Sequence, residues 1–154
     1  MIQLCYASQR QELQHDLLQD LSDILGIARS FNQANGIHGV LYYAEGYFFQ
    51  CLEGEAELLE KLYSKISRDP RHHLLQRFES TSIDQVHFKN WSMKYVNKHS
   101  AIANLFAKFG LKIFLPHQLS ATQIPVFLEM LHKLENDTPR QQVGYRNRGY
   151  QNFF

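Results

Sequence analysis

The sequence predicts an α+β sandwich on the ferredoxin-like plan: a five-stranded mixed sheet with two helices on one face and two C-terminal helices on the other. Three observations predict it. Strand-like and helix-like segments follow one another in the order strand, helix, strand, strand, helix, strand, strand. The central strands are apolar on both faces, so both faces need cover. Two further stretches with helical spacing, after residue 97, are available to cover the second face.

The elements are read in chain order. Residues 2–8 alternate, with Ile2, Leu4 and Tyr6 on one face and Gln3, Cys5 and Ala7 on the other. A helix is expected from about Asp16 to Asn35, buried along Leu17, Leu21, Ile24, Leu25 and Ala28, with Gly36 as its left-handed stop. Glu45-Gly46 then separates two apolar runs as a tight hairpin turn. Pairing outward from it sets Tyr43 opposite Phe48, Leu41 opposite Gln50 and Gly39 opposite Leu52. A second helix, about 56–68, buries Leu58, Leu59, Leu62 and Ile66 and ends before Pro70. Weaker strand signals cover 74–83 and 92–96. Strands one and three are expected to be parallel neighbours, each crossing over through a helix on the same side. Ile102, Leu105, Phe106 and Phe109 mark a third helix stopped by Gly110. Ile124, Phe127, Leu128, Leu131 and Leu134 mark a fourth, with Pro125 tolerated only in its first turn. The expected organisation is a core domain over 1–97, a helical extension over 98–137 that packs on the sheet, and a tail over 138–154. That tail carries Tyr145, Tyr150, Phe153, Phe154, Arg140, Arg146 and Arg148, and reads either as a flexible terminus or as a segment that docks on a partner.

Composition narrows the function. A net charge of +1 over 154 residues leaves no electrostatic footprint for nucleic acid, and no Lys/Arg run suggests a membrane patch. With no signal peptide and no apolar stretch long enough to span a bilayer, the expected compartment is the cytosol. Cys5 and Cys51 make no disulfide framework and fit buried strand positions. There is no Gly-rich phosphate loop, nucleophile elbow or zinc-ligand spacing, and the adjacent His72 and His73 point apart in regular structure. An enzyme is not expected.

One residue breaks the apolar pattern. Gln50 shares its face with Leu41, Phe48 and Leu52, and its amide has four hydrogen-bonding sites that aliphatic neighbours cannot meet. Leaving one buried and unpaired would cost roughly 1–3 kcal/mol. Face assignment finds polar company: Tyr6 on the neighbouring strand, and Asn32 continuing the stripe of the first helix. Trp91 and Met93 are expected to share a face in the last strand, with Ser92 and Lys94 on the other. Two explanations fit this set. One is a buried network, Tyr6 to Gln50 to Asn32, that fixes strand register. The other is a flat heteroaromatic ligand edged by amides and sandwiched by apolar helix residues.

The motifs favour the second. YAS at 6–8, FNQANGIHGVLYY at 31–43, GYFFQCLEG at 46–54, RDPRH at 68–72 and FKNWSM at 88–93 together resemble the BLUF family of blue-light receptors using flavin, over residues 1–97. The resemblance implies FAD held between the first two helices, a photoactive Tyr6, a switching Gln50, a flavin-anchoring Asn32, and a moving Trp91 and Met93. It further implies flavin contacts from Ser8, Ile24, Leu41, Asp69, Arg71 and His72. Phe31 and Cys51 depart from residues that several relatives carry at those positions. The implied function is a blue-light photoreceptor, not an enzyme, whose output runs to a downstream protein partner or through a change of homo-oligomeric state. A light-independent flavin oxidoreductase and a protein-interaction α+β module are the alternatives.

Overall fold

The computed structural model describes residues 1–12 and 16–139; the aromatic and Arg-bearing positions from 140 onward lie outside the described residues. Strand β1 (Ile2–Arg10) leads to helix α1 (Leu17–Asn35). Strands β2 (His38–Ala44) and β3 (Tyr47–Gly54) form the hairpin, followed by α2 (Ala56–Ile66). Strands β4 (His72–Arg77), β5 (Thr81–Ser82) and β6 (Lys94–Val96) follow. Helices α3 (Ser100–Lys108) and α4 (Gln123–Lys133) follow, with a short 3-10 turn between them.

Local chemistry sets the boundaries. Asp16 caps α1 by accepting from the Gln19 amide at 2.8 Å, and Gly36 ends the helix at φ 66°. The hairpin turn needs two positive φ values, and Glu45 (55°) shares that geometry with Gly46 (87°). Helix α2 stops at Ile66, two residues earlier than the expected 68, where Ser67 turns its hydroxyl back onto the Ser64 carbonyl at 2.8 Å. Pro125 occupies the third position of α4, inside the tolerated first turn.

The sheet runs β4-β1-β3-β2-β6, with β5 also paired to β1. The hairpin register is the expected one, Leu41 opposite Gln50. Two expectations are corrected. There are six strands and not five, because three residues, 78–80, stand opposite two on β1 between the Tyr6–Arg77 and Gln3–Thr81 pairs, and that extra residue splits the 74–83 signal into β4 and β5. And β1 with β3 is antiparallel, Ile2 opposite Gly54 through Gln9 opposite Tyr47. The crossover through α1 makes β1 run with β2, and the hairpin turns β3 back between them. The parallel pair is β2 with β6.

Alternation survives this correction. Leu4, Tyr6, Leu41, Phe48 and Leu52 face α1 and α2, where Leu21, Leu25 and Leu59 close over them. Cys5, Val40, Tyr42, Phe49 and Cys51 face α3 and α4, under Ile102, Phe106, Phe127 and Leu131. Each such large side chain taken from water contributes about 1.5–3 kcal/mol. Among the described residues no helix is long and apolar enough to cross a membrane.

Candidate functional site

On the α1/α2 side the packing is incomplete. A cavity of about 280 Å³ opens between the sheet and the two helices. Tyr6, Leu41 and Gln50 form its floor; Ile24 and Asn32 come from α1; Asp69, Arg71 and His72 close one end from the turn after α2. Eight of the sequence-expected contacts are thus brought together. Ser8 stands one shell back, its Oγ 2.8 Å from His72 Nδ1, and Met93 reaches the site through Gln50.

Gln50 and Tyr6 are each 4 % exposed and directly paired across β1 and β3. The Tyr6 hydroxyl donates to Gln50 Oε1 at 2.5 Å. Among the described residues Gln50 Nε2 has only the Met93 sulfur, at 3.7 Å, and a thioether is a weak acceptor. The acceptor end of the amide is therefore strongly met and its donor end weakly met, beside the cavity. Burial first, then Tyr63 and Asp69, pushes the Tyr6 pKa far above the tyrosine range, so the phenol is a proton donor at every physiological pH.

The rim is ordered by its own bonds. The Arg71 guanidinium and backbone amide both donate to the Asp69 carboxylate, at 2.5–3.1 Å. Burial pushes the Asp69 carboxyl up, and the Arg71 bonds outweigh it, leaving it below its ordinary value. His72 is held from both sides, by Ser8 and by the Ile66 carbonyl at 2.7 Å from Nε2.

Two expectations about this cluster are corrected. Asn32 does not continue the network to Gln50; its Nδ2 donates to the Ser92 carbonyl at 2.7 Å. Trp91 and Met93 do not share a face. Met93 packs in the pocket-side core, whereas Trp91 lies against the far-side core. The reason is that residues 91–93 are not extended: the Trp91 amide turns back to the Phe88 carbonyl, and β6 starts only at Lys94.

Sequence reading missed several contributors. Ala28, Leu62 and Ile66 line the cavity, although their helical spacing marked them only as core. Ile27 is 66 % exposed yet stands on the cavity rim, and Lys65 lies 5.8 Å over the Phe31 ring at the same rim. Arg29 Nε donates to the Met93 carbonyl at 3.0 Å, so α1 grips residues 92 and 93 through two side chains. The position of Asn32 at the end of an apolar stripe was a readable signal. Arg29, half-buried and off the apolar stripe of α1, gave none.

The fold and this cleft define a class, an α+β domain with a cleft of apolar walls and a few polar groups between its sheet and two helices. The chain belongs to the BLUF family, sensors of blue-light using FAD, whose model matches residues 1–94. The solved structure described as the BlsA photo-activated state is similar at 48 % identity and a TM-score of 0.85, over 88 % of this chain and 97 % of that one. The dark state of BlrB, a BLUF protein, is similar at 27 % identity and a TM-score of 0.69, over 84 % of this chain and 92 % of that one. The photoactivated adenylate cyclase subunit alpha of Euglena gracilis is 32 % identical over 107 residues, 66 % of this chain and 10 % of that protein. The match thus spans about a tenth of the length of that curated relative.

The donor set fits FAD. The Gln50 donor end, Asn32 and Arg71 offer N–H groups, while Ile24, Leu41 and Ala28 offer apolar walls. A flavin ring presents acceptor edges and apolar faces of that kind.

Proposed function

We propose that this chain is a blue-light photoreceptor in which residues 1–97 hold FAD and residues 98–137 form a helical output element for a downstream protein partner. The observation that carries the reading is the two-ended environment of Gln50: a phenol on its acceptor end at 2.5 Å and a thioether on its donor end at 3.7 Å.

Asn32 and Arg71 would hold the cofactor by hydrogen bonds, Ile24 and Leu41 would flank it, and Asp69, His72 and Ser8 would order the rim. When bound, the flavin absorbs blue light and becomes a strong oxidant. Tyr6 is the buried side chain best placed to supply an electron, and its proton already points at Gln50 Oε1. Because the amide has unlike ends, turning it exchanges donor for acceptor at both neighbours. Tyr6 would then accept, and Met93 would lose the N–H that faces its sulfur. A neutral amide suits this role, since a buried carboxylate is costly to desolvate and a leucine cannot bond.

Met93 lies one residue before β6, so the altered contact acts on the strand that carries the far-side packing. The role proposed is sensing, not catalysis: the match to the cyclase covers a tenth of that protein. The E. coli relative named a blue light- and temperature-regulated antirepressor, 32 % identical over 56 residues, supports output through a partner. The test is an absorption spectrum of the FAD-loaded chain before and after blue light. A reversible shift to the red that disappears in Gln50→Leu, with flavin retained, supports the reading; a wild-type response in that variant contradicts it.

A further inference from the structure

Lys94 opens β6 and is 1 % exposed, a rare place for an ammonium. Its Nζ donates to the His132 carbonyl at 2.7 Å and stands 4.2 Å from the centre of the Trp91 ring. His132 lies in the last turn of α4, so its carbonyl is one of those the helix cannot pair internally, at the negative end of the helix dipole. The indole face supplies the other half of the compensation for a buried charge. The His132 ring in turn meets Trp91 edge-on at 5.9 Å.

The next residues extend the same attachment. The Tyr95 amide donates to Asn136 Oδ1 at 3.0 Å, and the Asp137 amide donates to the Tyr95 carbonyl at 2.7 Å. The Asn97 amide donates to Asp137 Oδ2 at 3.2 Å. The segment leaving α4 is therefore bound to β6, one residue beyond the Met93 that faces Gln50.

We propose that Lys94 is the positioning residue that ties the C-terminal end of α4 to the pocket, reading the place of Trp91 through its indole face and holding the helix through the His132 carbonyl. The inference rests on the light-receptor reading above. A shift of Met93 or Trp91 strips the ammonium of its aromatic partner. The Asp137 carboxylate also attracts the charge, but it offers no replacement for the indole face, so the ammonium follows the indole or moves to water, and the last turn of α4 loses its donor.

The test is hydrogen exchange of the full FAD-loaded chain, in the dark and under blue light, read on peptides spanning 123–138 alongside the absorption shift. In wild type, light should speed exchange in the last turn of α4 by about tenfold, the scale of losing one charged hydrogen bond. Lys94→Met should exchange that fast already in the dark and gain nothing in light, while keeping its red shift. Lys94→Arg, which can serve both partners, should restore the light response. Lys94→Gln, which keeps a donor but no charge, covers the case of an unstable methionine variant and should stay protected in light and dark alike. A light response at α4 in Lys94→Met or Lys94→Gln equal to wild type overturns the inference. So does a wild type with a normal red shift and no exchange change at α4. A wild type with no red shift contradicts the light-receptor reading instead.

Discussion

The two faces of the sheet are built from alternate residues of the same strands and finish differently. On the far side Tyr42, Phe49, Phe106, Phe114 and Phe127 pack as tilted and edge-on rings with centroids 4.8–6.1 Å apart. On the α1/α2 side the helices stand off far enough to leave about 280 Å³, with an exposed Ile27 on its rim. The far face is completed by the chain's own rings. The pocket face keeps a cleft, and it is there that the weakly met amide of Gln50 sits. The lesson is that one alternating pattern can serve both ends, provided the helices above each face differ in what they bring. Helices α3 and α4 bring phenylalanines; α1 brings Ile24, Ala28 and Asn32.

That contrast can be broken or sharpened by substitution, starting with the largest effect. Phe127→Ala removes a fully buried ring that touches four others, and should lower unfolding free energy by about 3–5 kcal/mol. Urea unfolding should show a lower midpoint at unchanged slope, with the flavin spectrum intact. A displaced spectrum would mean that the faces are not separate. Asn32→Ala should remove the hydrogen bond to the carbonyl of the half-buried Ser92, costing about 0.5–1.5 kcal/mol, and should also weaken FAD binding in a fluorescence titration. Stability loss without any loss of affinity would confine Asn32 to the packing. Tyr6→Phe should cost about 0.5–1.5 kcal/mol, the scale of one hydrogen bond, yet remove the light-induced shift altogether. A retained shift would dismiss the phenol as the photoactive group.

The smallest effect is with pH. Burial pushes the Tyr42 hydroxyl up to about 12, only partly offset by the His99 amide that donates to it. A raised folded-state pKa means that the neutral phenol is favoured in the fold. The associated stability is fully present below about pH 10, the unfolded value, and is lost as pH rises toward about 12. Tyr42→Phe should flatten that part of a stability-against-pH curve. The Tyr6 phenol is pushed up further, so the light shift should not titrate below about pH 10.

Much of this was legible in the sequence, for reasons that can be named. The hairpin register follows from Glu45-Gly46 and period-two alternation, which placed Gln50 opposite Leu41 and on one face with Tyr6. Face assignment does not depend on strand direction, which is why it survived the wrong orientation of β1 against β3. Non-local geometry was not legible. The split between β4 and β5 shows only against β1, where residues 78–80 stand opposite just two residues of a strand from another part of the chain. The turn from Phe88 to Trp91 breaks the alternation that would have put Trp91 beside Met93. Alternation assigns Lys94 only to the face opposite Met93; the place of its ammonium over the Trp91 ring and at the end of α4 depends on contacts between distant parts of the chain.

The account rests on Gln50 as the movable group between Tyr6 and Met93. The most direct measurement is the light-minus-dark absorption difference of FAD-loaded wild type against FAD-loaded Gln50→Leu. The account predicts a reversible red shift in the first and none in the second, at equal flavin occupancy. A shift of the same size in both would contradict it.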